Sequence, residues 1–150
     1  MNIKQIKSSL LALMLATLPT ACFDPTMVAE GGIGGTSKQG AYGGTGGSAD
    51  ASATTAAAKQ GTADARAEGG RGGHINNRGD STDPNLVAGT GGAATAVADA
   101  HTDPNAAPGS GDREINSTAF AIGGRGGNTV SGGLGGDGGN ATAHATGSNN

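Results

Sequence analysis

Three histidines, one cysteine, twelve carboxylates and an Arg-Gly-Asp tripeptide are the groups in this 150-residue chain that could do chemistry. His74, His101 and His144 stand 27 and 43 residues apart, without the local spacing that gathers imidazoles around one metal ion, and they read as solvated loop residues. A Gly-x-Ser-x-Gly nucleophile elbow and a Gly-Lys-Ser/Thr phosphate loop are both missing from the sequence. Arg78-Gly79-Asp80 is the tripeptide that integrins read, set in a polar stretch where its residue types are common. Asn116-Ser117-Thr118 and Asn140-Ala141-Thr142 satisfy the N-glycosylation sequon. Catalysis needs titratable groups held in a low-dielectric interior, and little here could build one, so no enzyme and no cofactor is expected.

The first residues differ from all that follow. Lys4 and Lys7 precede an apolar run from Leu10 to Leu18, and small residues follow up to Ala21, the layout of a secretory signal that is cleaved rather than folded. The run is about half the roughly 20 residues a membrane-spanning helix needs. We therefore divide the chain into a signal peptide, residues 1–21, and a mature region, residues 22–150. The single cysteine, Cys22, excludes an intrachain disulfide and stands directly after Leu18-Pro19-Thr20-Ala21. This junction resembles the lipobox of bacterial lipoproteins, whose cysteine is acylated and becomes the mature N-terminus. It departs from that pattern in having Pro19 where an aliphatic residue is preferred. The resemblance implies lipidation at Cys22 and an exported protein held at the cell envelope by its lipid; the alternative is a periplasmic or secreted protein with a free thiol.

Residues 22–150 carry seven basic against twelve acidic side chains, a net charge of −5 that argues against nucleic acid as a partner. Only 14 large apolar side chains occur in those 129 residues, and all 31 glycines do. Composition of this kind is that of low complexity, and it predicts no ordinary packed core.

Two patterns with different periods recur. Gly-Gly-x triplets appear at Gly31–Thr36, Gly43–Ser48, Gly69–His74, Gly123–Asn128 and Gly132–Asn140. Polyproline II has three residues per turn, so such a segment has two bare edges along which backbones approach closely. Alanine alternates with small or polar residues at 49–53, 94–100 and 141–145, a period of two that places methyls on one face of an extended strand. The two patterns are joined in the same order from Gly44, Gly89 and Gly136, giving approximate repeats 45 and 47 residues apart. Thr82-Asp83-Pro84-Asn85 and Thr102-Asp103-Pro104-Asn105 read as turns. A helical alternative exists for Ser48 to Glu68, which is alanine-rich with Ser48 as a cap.

In its Gly-Gly-x runs the mature chain resembles glycine-rich polyproline II bundle proteins, the group that includes springtail antifreeze proteins and some phage tail-tip adhesins. The likeness covers those runs only, and it implies a surface or binding role built on backbone packing. Gly132–Asn140 also resembles the start of the calcium-binding nonapeptide of toxin-type β-rolls, which makes Asp137 a metal-ligand candidate.

The expectation is a fold of low regular secondary structure, either glycine-rich extended repeats (polyproline II or short β) or largely disordered, with helix only in the signal segment. Functionally it is an exported, lipid-anchored surface or envelope protein with a structural, spacer or adhesive role, touching the membrane through Cys22 and open to self-association. The alternative is a ligand-binding module for ice or calcium.

Overall fold

The structure, a computed structural model, describes residues 25–37, 42–57, 59–76, 86–105, 113–130 and 132–149. Residues 1–21, expected to be a signal, Cys22 and Arg78-Gly79-Asp80 lie outside the described residues. Six strands are present: β1 Thr26–Glu30, β2 Ala49–Ala57, β3 Gln60–Glu68, β4 Ala94–Thr102, β5 Glu114–Ile122 and β6 Ala141–Ser148. They form two three-stranded parallel sheets, ordered β1-β3-β5 and β2-β4-β6. Each strand is one half of a longer rod whose other half is a glycine arm. In rods 1, 3 and 5 the arm follows the strand (31–37, 69–75 and 123–129); in rods 2, 4 and 6 it precedes it (42–48, 87–93 and 134–140).

Alternation makes the strand half. Along β4 the burial pattern is strictly two-fold, with Ala94, Ala96, Ala98 and Ala100 at most 2% exposed and their neighbours half-exposed. The inward faces of β2, β3 and β4 contribute ten alanines to one buried cluster. Methyls alone fill the space because the sheets lie close: the Ser117 hydroxyl of β5 donates across to the Ala98 carbonyl of β4 at 2.8 Å. Registers are in phase, Ala49 beside Ala94 beside Ala141 in one sheet and Ala65 beside Ala119 in the other.

A period of three makes the arm half. Within a layer the amides of Gly31 and Gly34 donate to the carbonyls of Glu68 and Arg71, and those of Gly69 and Gly72 to Ile122 and Arg125. Between layers Gly44 and Gly47 donate to Gly35 and Gly32, then Gly70 and Gly73 to Gly47 and Gly44, and so on through rod 6. Every third residue meets the same neighbour, as three residues per turn requires. A second small cluster, Ile75, Leu86 and Ala88, closes the far end of the arms. The turn from rod 5 to rod 6 uses Gly132 and Gly133 at φ of 60° and 97°, which side chains rarely adopt.

This architecture corrects the sequence expectation of low regular secondary structure or disorder. The chain forms six strands in two sheets, and among the described residues there is no helix. Ser48 to Glu68, where helix was the alternative, contains β2 and β3. The physical reason is that counting large side chains measures the wrong kind of core. Here each buried methyl contributes only about 0.8 kcal/mol, and backbone hydrogen bonds between closely packed strands and arms hold the rest.

Candidate contact faces

The two layers leave two broad outer faces, and the in-phase registers turn their side chains into transverse rows. On the β2-β4-β6 side the rows are Asp50–Thr95–Thr142, Ser52–Val97–His144 and Thr54–Asp99–Thr146. The arms continue the same face: Gly46 donates to Thr90 and Gly91 to Asp137, which aligns Thr45, Thr90 and Asp137. The product is a surface of hydroxyl and carboxylate groups, with Val97 and the His144 imidazole among them, standing on an alanine and glycine floor. Such a floor has few rotatable bonds, so the polar groups are held at fixed lateral spacing, about 4.8 Å from strand to strand.

The opposite face is more charged and more apolar. Val28, Arg66 and Phe120 form one row and Glu30, Glu68 and Ile122 the next. The Arg66 guanidinium lies 5.2 Å from the centre of the Phe120 ring, and Arg66 also pairs with Glu68 at 3.6 Å with both side chains half exposed. Exposed pairs of this kind contribute little to stability. Beyond them the arm rows carry Ile33, Arg71 and Arg125, with a shallow groove between Glu30, Ile33, Glu68 and Arg71.

The residues singled out in the sequence fall on these faces separately. His74 is exposed on the arm of β3, where its Nδ1 accepts from the Asn128 amide at 2.9 Å. His101 lies 4.0 Å from Asp99 on β4, and His144 contacts the Thr146 hydroxyl at 3.2 Å on β6. The structure brings no two of the three together. Asp137 stands exposed in its row beside Thr90, and its carbonyl is engaged by Gly91. Among the described residues no three histidine, cysteine or acidic side chains converge where they could hold a metal ion. Asn116 is exposed, its amide donating to Glu114 at 3.0 Å, and Asn140 is exposed at the foot of β6. Sequence reading missed the rows themselves. Their signal was the common spacing of the repeats at Gly44, Gly89 and Gly136, which places equivalent residues side by side.

The chain matches no protein-family model, no curated protein and no solved structure.

Proposed function

We propose that this protein is exported, is held at the cell envelope by a lipid on Cys22, and acts without catalysis as a structural and adhesive contact surface through the outer face of β2, β4 and β6. The observation that carries the reading is the set of in-register polar rows, such as Asp50–Thr95–Thr142, displayed on a floor of backbone and methyl groups. A surface of this form makes many weak, laterally repeated hydrogen bonds to an extended partner, which suits adhesion or lattice contact better than enclosure of a small molecule. The lysines and apolar run before Ala21, with Cys22 following, support export and anchoring.

Two measurements test it. Incorporation of labelled fatty acid is expected in the native chain and lost in Cys22→Ser, with release of the variant from the membrane fraction; an unlabelled native chain or a cytoplasmic location would overturn the anchor. Replacing the outward Thr95 and Thr142 with lysine should abolish attachment of producing cells to their surface while leaving the circular dichroism spectrum unchanged. Unaltered attachment would remove the contact role from this face.

The ice-binding reading gains one observation, the side-by-side placement of Thr95 with Thr142. Carboxylates at Asp50, Asp99 and Asp137 interrupt the same face, and thermal hysteresis in purified protein decides between the readings.

A further inference from the structure

The described ends of the slab are unlike each other, and each offers what the other lacks. Every cross-layer bond between arms runs from a later rod to the one before it: rod 2 to rod 1, rod 3 to rod 2, and on to Gly136 and Gly139 of rod 6 donating to Gly127 and Gly124 of rod 5. Among the described residues no rod precedes rod 1, and the amides of Gly32 and Gly35 have no acceptor; none follows rod 6, and the carbonyls of Gly136 and Gly139 receive no donor. Within each layer the bonds run the other way, so that among the described residues the amides of Gly123, Gly126, Gly135 and Gly138 lack an acceptor at one end and the carbonyls of Ile33 and Thr45 lack a donor at the other. Among the described residues the parallel strand edges β1 and β2 at the first end, and β5 and β6 at the second, are open in the same way.

The geometry points to end-to-end stacking of copies of this chain, rods 1 and 2 of one copy continuing the two sheets of another beyond its β5 and β6 as a seventh and an eighth rod.

Side chains agree with the backbone. The large apolar residues exposed among the described residues lie only at the two ends: Met27, Val28, Ile33 and Tyr42 on rods 1 and 2, and Phe120, Ile122, Val130 and Leu134 on rods 5 and 6 and the turn joining them. Continuing the registers places Val28 of the added copy beside Phe120 and its Tyr42 beside Leu134. The inward alanines of β6 are exposed, whereas their equivalents on β2 and β4 are buried; an added rod 1 covers them with Met27 and Ala29. Charge is compatible as well. No row across the junction pairs like charges, although Glu30 and Glu68 do share a row inside the chain. Because the two ends differ, the contact is heterologous, and because each added copy continues both sheets in the direction in which their strands already succeed one another, it propagates as a filament rather than pairing into a dimer.

Glycines at the two ends supply the test. A methyl at Gly32 or Gly35 meets nothing within 4 Å in the single chain, and at Gly135 or Gly138 only a carbonyl at 3.6 Å. In the stack the same methyl would meet backbone as it does at Gly124, where a carbonyl lies 1.9 Å away. The full chain is studied in a Cys22→Ser background, which keeps lipid-driven micelles from imitating assembly and makes the outcome independent of the anchoring reading. Sedimentation velocity should show the average mass rising several-fold with concentration, without a limiting size. The Gly32→Ala/Gly35→Ala and Gly135→Ala/Gly138→Ala variants should each remain monomeric with unchanged circular dichroism. Mixed together they should form a one-to-one dimer, because each retains the end the other lacks. A chain that stays monomeric at every concentration, a native assembly that stops at two copies, or variants that assemble as the native chain does would each overturn the inference.

Discussion

Gly92, in the arm that leads into β4, is the most direct test of whether the glycine arms are packed. An alanine there would put its methyl 2.0 Å from the carbonyl oxygen of Gly47 and 2.5 Å from its carbon, both backbone atoms of rod 2. No side chain can rotate away, so rods 2 and 4 must separate. The residue also makes two bonds between layers, its amide donating to Gly70 and its carbonyl accepting from Gly124, each at 2.8 Å. Overpacking strain costs about 1–3 kcal/mol, and weakening two hydrogen bonds adds about 1 kcal/mol each, giving Gly92→Ala a loss of roughly 3–5 kcal/mol. A domain of this size is stable by about 5–15 kcal/mol. At a slope near 2 kcal/mol per molar urea the midpoint should fall by about 2 M. Gly35→Ala is the control, since its methyl meets nothing within 4 Å; it should raise stability by about 0.4–1 kcal/mol by restricting the unfolded chain. Both are read by urea unfolding at low protein concentration, followed by circular dichroism. Equal midpoints for the two variants would refute packed arms and return the glycine runs to disorder.

The strand half makes its own predictions. Ala96 is fully buried between the sheets, so Ala96→Leu should lower stability by about 3 kcal/mol or more through overpacking, while Val97→Ala on the outer face should stay within about 1 kcal/mol; urea midpoints distinguish them. Ser117→Ala removes the hydroxyl that reaches the Ala98 carbonyl and should cost about 0.5–1.5 kcal/mol, together with faster amide exchange along β5. Inserting one residue between Gly124 and Arg125 turns the rest of that arm by a third of a turn and drives Arg125 into the place of Gly126, where even a methyl is 1.8 Å from the Gly136 carbonyl. A whole Ser-Gly-Gly triplet at the same point keeps glycine at the places of Gly126 and Gly127 and should be tolerated far better; equal damage from the two insertions, by calorimetry, would deny the three-residue register.

What the sequence displayed and what it hid divide along one line. The alternation at 94–100 was legible because alanines at every second position demand one buried face, and β4 buries those alanines. The segments beginning at Gly44, Gly89 and Gly136 lie side by side because equal spacing allows one register. Order itself was not legible. The usual measure, large apolar side chains per residue, assumes layers held about 10 Å apart, whereas here Ser117 spans the gap with one hydroxyl. The contact rows were hidden for a related reason. Thr95 and Thr142 are 47 residues apart and look irregular along the chain, and only the parallel pairing of β4 with β6 makes them neighbours.

The change from period two to period three falls at the same height in every rod of a layer. In one it comes between Glu30 and Gly31, Glu68 and Gly69, and Ile122 and Gly123; in the other between Ser48 and Ala49, Ala93 and Ala94, and Asn140 and Ala141. A rod that slipped by one residue would place side chains against backbone in its arm and polar groups against methyls in its strand. The two halves therefore lock each other, which neither an alanine sheet nor a glycine bundle of this size would do alone. That mutual register is what lets a chain so poor in large apolar residues hold its side chains in phase across a broad face, the feature on which the proposed contact role rests.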